Sequence, residues 1–492
     1  NLYAALAQPT EKLTVSYPVS DGKGAEKRPS FVIGRIARLL PSISVETESA
    51  DKEYRLSAKS TALEYAGEHI GGALWQYFEG QGDAERALAA MKDASRYTRG
   101  HLSRDAVRAL YGGAVTLSAS RMDMARSCHF AYFMRYGLKA RERTGAGFDA
   151  PQIGTFVHDV MEHTLRQAKE CGGLHTLSKD KLHALVRASI EEYIDRVLPD
   201  LCEKSARFRY LFNRLCATVE RIMDEVSEEL QSSDFEPLAF ELEFGADGQL
   251  PAITIREENG TARVVGKVDR VDGWLHDGKL YLRVVDYKTG KKSFDLAELR
   301  YGLGLQMLLY LFTLKEEGQM LFGGHEIVPA GVLYTPAREP MLRCARDTEP
   351  ETIEKALKKE LRRSGMVLED PAVLQAMEHS ALESPCYLPI AVKRDGAVTG
   401  SLASAEQLGK LSKYVDHILH EITQEVFAGN IDADPYARTP QQSACTYCEF
   451  ASACHFENGC GSDRMEYIKA TKNDEFWQYI DEVNGEGAHE NG

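Results

Sequence analysis

Asp286-Tyr287-Lys288 closes the apolar run Leu280-Tyr281-Leu282-Arg283-Val284-Val285. Side chains alternate along a β-strand, so Asp286 and Lys288 project from one face. A carboxylate beside a lysine at a strand end suits phosphodiester hydrolysis: the acid holds a divalent cation that activates water, and the ammonium stabilises charge growing on phosphate. Alone the pattern is weak, since charged pairs at strand ends are commonly solvated. A second alternating stretch, Gly266-Lys267-Val268-Asp269-Arg270-Val271-Asp272, adds Asp269. The spacer between them carries His276-Asp277-Gly278, a hairpin signal, which predicts antiparallel neighbours with Asp269 and Asp286 meeting at one metal ion. Downstream, Gln306 and Tyr310 stand four apart and share one face of an otherwise apolar helix. A buried amide and a core aromatic are the bland readings of that pair; beside the Asp and Lys set, DNA positioning is favoured.

Upstream, Gly154-Thr155-Phe156-Val157-His158 reads as a helix start, with His158 and Glu162 one turn apart. Zinc-protease spacing (H-E-x-x-H or H-x-x-E-H) is missing. The order G-x-x-x-H, G-x-x-D-R, D-Y-K-T-G, Q-x-x-x-Y resembles the RecB-like branch of the PD-(D/E)XK nucleases. The resemblance implies an α/β fold, a restriction-endonuclease-like mixed sheet flanked by helices, with helical insertions. It also implies His158, Asp269 and Asp286 as ligands of Mg²⁺, the Tyr287 carbonyl as a further candidate, and Lys288 as the catalytic lysine. Gln306 and Tyr310 complete the site. Either Glu241 or Glu243, on one strand face in Phe240-Glu241-Leu242-Glu243-Phe244, is the extra acid such sites often carry; the residues do not choose between them.

Ten cysteines in 492 residues are too few and too irregular for a disulfide scaffold, and a reducing cytoplasm is the natural setting. Cys445, Cys448 and Cys454 form a C-x-x-C-x₅-C run whose fourth partner is His455, Cys460 or the remote Cys128. Here the resemblance narrows to AddB-type nucleases, in which an early cysteine and a late C-x-x-C-x₅-C bracket the nuclease motifs. It implies that Cys128, Cys445, Cys448 and Cys454 hold a [4Fe–4S] cluster; zinc would satisfy the same thiolates. Cys171, Cys202, Cys216, Cys344 and Cys386 read as isolated thiols. The stretch Leu13 to Gly24, with Arg28-Pro29-Ser30 and Phe31-Val32-Ile33, looks like the last strand and turn of a helicase-like part. Together with the start at Asn1, this suggests a C-terminal fragment of a longer polypeptide. The expected organisation is a helicase-like remnant at 1–112, a nuclease domain at 113–470 and a partly disordered tail at 471–492.

By the same resemblance the partners are a DNA strand end and an AddA-like helicase–nuclease subunit in a heterodimer, and the task is resection of double-strand breaks with cleavage of the 5′-ended strand. An inactive fold serving as a DNA-binding scaffold, and a stand-alone iron–sulfur exonuclease of the CRISPR-adaptation type, are the other classes. No G-x-x-x-x-G-K-[ST] is present, so ATP-driven unwinding has no site in these residues. A hydrophobic fraction of 43% supports a sizeable core, and no run reaches the ~18 apolar residues of a membrane helix. The net charge of −15 requires local basic patches for DNA. One candidate is Arg121, Arg126, Arg135, Lys139, Arg141 and Arg143, interleaved with Phe130, Tyr132, Phe133 and Tyr136. The other, favoured, is Lys279, Arg283, Lys291 and Lys292 along the catalytic strand.

Overall fold

The computed structural model describes residues 2–19, 27–43, 54–96, 98–141, 150–199, 205–245, 248–290, 292–345, 347–439 and 441–490. Lys291, Arg143, Cys202, Ala246, Asp247 and the segment 20–26 lie outside them. Two compact units emerge: residues 1–99 with 432–467, and residues 100–431 with 468–492. Neither follows the linear boundaries at 112 and 470 expected from the sequence.

The larger unit is built on strands β1 (Ala114–Leu117), β2 (Glu236–Phe244), β3 (Ile253–Glu257), β4 (Gly260–Val264), β5 (Gly266–His276), β6 (Lys279–Lys288), β7 (Glu326–Pro336), β8 (Ser364–Leu368) and β9 (Leu402–Ala403). Six form one mixed sheet in the order β9-β8-β7-β6-β5-β2, and β1-β4-β3 form a smaller one. The β5–β6 hairpin is antiparallel, as its turn signal predicts. Asp277 and Gly278 both take positive φ (49° and 79°), the requirement of a tight hairpin turn. β6 then pairs in parallel with β7. Leu282, Val284 and Val285 are fully buried, because helices cover both faces of a central strand.

The helices that matter for the site are α1 (Ala119–Ser127), α2 (Ala150–Glu170), α3 (Ala206–Gln231), α4 (Gln306–Glu317), α5 (Ala405–Ala428) and α6 (Asn473–Glu490). α2 begins one turn before the expected start and buries Phe156, Val157, Val160, Met161, Thr164, Leu165 and Ala168, a helical stripe against the core. α4 is apolar all round and sits against the sheet, with Met307 through Leu314 all buried. α5 opens on a Ser404/Gln407 capping box and stops at Gly429 in the left-handed region, the predicted stop. α6 corrects the expected loose tail: Phe476, Trp477 and Ile480 belong to the core. No helix among the described residues is long and apolar enough to cross a membrane.

The smaller unit has its own core, with Trp75, Phe78 and Leu88 packed among Ala62, Ala66 and Ala84. Its residues Leu13–Val19 form no strand, contrary to expectation, and Phe31-Val32-Ile33 opens a helix (Phe31–Leu39) capped by Ser30 rather than extending a sheet. Within this unit Arg99 is buried against Asp463 (2.8 Å) and donates to the Cys454 carbonyl, so residue 99 holds the cysteine loop.

Candidate active site

Strand register assembles the acids. Phe240 pairs with Arg270 and Leu242 with Val268, which sets Glu241 opposite Asp269. Arg270 pairs with Val285, so one step further Asp269 faces Asp286, and Asp286 pairs with Tyr334. Three carboxylates on β2, β5 and β6 thus share one row and one sheet face. The ladder gives way at this row, where the Tyr287 N–H donates to Asp269 Oδ2 at 2.9 Å.

α2 lowers His158 onto the row from the edge of its buried stripe. Its Nδ1 lies 3.3 Å from Asp269 Oδ2 and its Nε2 2.9 Å from the Tyr287 carbonyl. Burial alone would depress this imidazole; Asp269, Asp286 and the Tyr287 carbonyl outweigh it and raise it to about 9. His158, Glu241 and Asp269 each present one ligand atom within 4.8 Å of the others. Asp286 is buried and sits 2.7 Å from Lys288 Nζ. Burial, then repulsion from Asp269, pushes its carboxyl up to about 6. Asp286 Oδ2 has no well-directed hydrogen bond despite that ion pair. An oxygen-rich set with one imidazole and an under-satisfied buried carboxylate fits a hard divalent cation.

Geometry separates the two undecided acids. The Glu241 side chain is 13% exposed and joins the cluster, while Glu243 is 55% exposed and reaches only toward Lys267. Glu241 also holds a left-handed backbone, φ 50°, inside its strand. Gln306 Nε2 donates to the Tyr310 hydroxyl at 3.1 Å, and both line a groove of about 610 Å³ with Ser118, Ser120, Gly248 and Lys267. Gly266 is glycine for a steric reason: a Cβ there would meet Phe244 and Tyr310 at 2.5 Å.

Asp123 of α1 was not singled out by its sequence context. It accepts from the Gly304 N–H at 2.9 Å and so fixes the turn that leads into Gln306. Burial raises its carboxyl, opposed by Gly304, Lys292 and Lys288.

The opposite face of the same strands carries a buried ionic network. Arg270 donates to the Tyr287 hydroxyl (2.7 Å) and to Asp272, Arg283 donates to Asp272, and Arg363 donates to Glu229 of α3 (2.6 Å). Arg283 is therefore not part of a DNA track, and Lys279 pairs with Glu326 at the far end of β6. The aromatic-basic stretch is likewise structural in part: Arg126 bonds the Tyr301 carbonyl and Glu421, and Arg121 lies over the Tyr136 ring.

The thiols of Cys445, Cys448 and Cys454 stand close enough that burial and their mutual repulsion raise Cys445. Cys128, buried at the end of α1, belongs to the other compact unit.

Comparison with known proteins matches residues 116–455 to the PD-(D/E)XK nuclease superfamily, a span containing all of His158, Glu241, Asp269, Asp286, Lys288, Gln306 and Tyr310. The chain is 30% identical to an ATP-dependent helicase/deoxyribonuclease subunit of Ruminiclostridium cellulolyticum over 98% of its length, and 29% identical to the corresponding proteins of Caldanaerobacter subterraneus subsp. tengcongensis and Clostridium botulinum strain Loch Maree, over 100% and 97%. It spans 44% of each of these relatives. With the superfamily match covering more than half of the chain, and a mixed sheet flanked by helices beneath the acidic row, the chain belongs to the PD-(D/E)XK nuclease superfamily.

Proposed function

We propose that this chain is a metal-dependent deoxyribonuclease, the nuclease-bearing part of a helicase–nuclease subunit that processes broken DNA for recombination repair. The observation that carries the reading is the row Glu241–Asp269–Asp286, with His158 above it and Lys288 beside it. His158, Glu241, Asp269 and Asp286 would hold Mg²⁺, which supplies an activated water and a Lewis acid for the scissile phosphate. Lys288 stands ready to neutralise charge on that phosphate once Asp286 turns to the ion. Gln306 and Tyr310 orient the strand in their groove, and Asp123 keeps Gln306 in place through Gly304. The relatives' names support a motor partner of the AddA type, with cleavage of the 5′-ended strand as the expected polarity.

The four cysteines Cys128, Cys445, Cys448 and Cys454 are assigned to a [4Fe–4S] cluster. The clustering of the last three thiols supports this, as does a family match that takes in Cys128 as well. Bound there, the cluster would act as a structural crosslink.

The deciding assay is Mg²⁺-dependent cleavage of end-labelled single-stranded DNA by wild type and Asp286→Ala. Cleavage by wild type alone is expected. Lys288→Ala should bind DNA like wild type and lose at least about a hundredfold in cleavage, in line with removal of one charge-stabilising donor. Equal cleavage by wild type and both variants would overturn the assignment, and silence of wild type even with a motor partner would leave a DNA-binding scaffold.

A further inference from the structure

A set of cations other than the expected lysine track converges on Lys288. β6 ends at Lys288, β7 ends at Pro336 and β8 begins at Ser364, with Lys288 paired to Pro336 and Tyr334 to Ser364. The three strands therefore share one sheet edge, and Arg338 and Arg362 stand just beyond it. With Lys292 they line a groove of about 320 Å³ that also contains Lys288 itself. Among the described residues lining it, these four cations face one acid, Glu360, in a chain of net charge −15.

Their present contacts are loose. Arg338 is 3.4 Å from Glu360 and Lys292 is 3.6 Å from Glu298, both longer than a good charge-assisted hydrogen bond. Arg362 gives one N–H to the Pro385 carbonyl. Strands lie about 4.8 Å apart, so Arg338 and Arg362 stand roughly one and two strand spacings from Lys288, on the side away from Asp269. Acids occupy β2, β5 and β6, and cations continue across β6, β7 and β8.

Resting on the nuclease reading, we propose that the Lys292–Arg338–Arg362 groove is a second subsite. It holds the phosphodiester backbone of single-stranded DNA next to the scissile bond, while Gln306 and Tyr310 hold the other side.

The test is fluorescence anisotropy with a labelled oligothymidylate, with Ca²⁺ replacing Mg²⁺, across a salt series. Arg338→Gln/Arg362→Gln should weaken binding about tenfold or more and lower the slope of log K against log salt by about 1.4, two phosphate contacts on a single strand. With Mg²⁺ restored, KM should rise by a similar factor while kcat stays within about threefold. Arg338→Lys/Arg362→Lys, which keeps the charge, should bind within about threefold of wild type. Lys279→Gln, at the distant end of β6, should change nothing. Unchanged affinity and slope in the Gln pair would overturn the subsite, as would an equal loss in the Lys pair, which would mean packing rather than charge. If wild type cuts DNA but the Gln pair binds normally, the subsite alone fails. If wild type neither binds nor cuts, the nuclease reading falls with it.

Discussion

Glu241 carries a left-handed backbone inside β2, a conformation that costs a residue with a Cβ on the order of 1–3 kcal/mol. The strain holds its carboxylate beside Asp269 and His158. Glu241→Asn, which tolerates this backbone and removes a charge from the row, should raise the melting temperature of the metal-free protein. The same change should shrink the stabilisation given by Mg²⁺, which for wild type amounts to about 2.7 kcal/mol at a hundredfold excess over Kd. Calorimetry with and without Mg²⁺ checks both, and an undiminished metal response would detach Glu241 from the ion. The sequence placed Glu241 and Glu243 on one strand face and stopped there, because period-two alternation is blind to what lies opposite. Register against β5 makes the choice, and register is a non-local property. Asp269, Asp286, Lys288, Gln306 and Tyr310 were legible because each belongs to a short pattern; Asp123 was not, since its partner is a backbone N–H 181 residues away.

At the scale of elements, the β5–β6 hairpin is held from beneath by charge. Arg283 was expected at the surface because isolated arginines are rarely buried. Its burial depends on Asp272 across the hairpin and on Glu229 from α3, and no local pattern announces that meeting. Burial acts against the Glu229 carboxylate, yet Arg363, Arg283 and Arg270 lower it to about 2 from an ordinary 4.5. The folded-state value is depressed, so this carboxylate contributes stability above about pH 4.5 and loses it as the pH falls toward 2. Glu229→Gln should cost about 3–5 kcal/mol at neutral pH, the cost of stranding buried guanidinium charge. It should also flatten the acid limb of the stability curve; urea titrations at several pH values measure both. Gly266→Ala should cost about 1–3 kcal/mol by overpacking Phe244 and Tyr310. If chemical denaturation shows no loss, the close approach is softer than the geometry indicates.

For the whole molecule, the nuclease fold was readable from motif order, but the division into units was not. A boundary read along the chain presumes contiguous domains, whereas the smaller unit joins residues 1–99 to residues 432–467. Cys445, Cys448 and Cys454 lie in its second segment. Cys448→Ser should therefore lose iron and visible absorbance and lower the melting temperature; full metal content in that variant, by elemental analysis, would refute the cluster. The same discontinuity bears on synthesis. Arg99 leaves the ribosome before the 332 residues from 100 to 431 have been translated. At about 5–20 residues per second this interval is on the order of 20–70 s. For that time Asp463, which meets the Arg99 guanidinium in the folded unit, does not yet exist, and the first ninety-nine residues await the segment that completes them. The nascent chain is then a client for holding factors, and slowing elongation between codons 100 and 431 should lengthen its exposure to them.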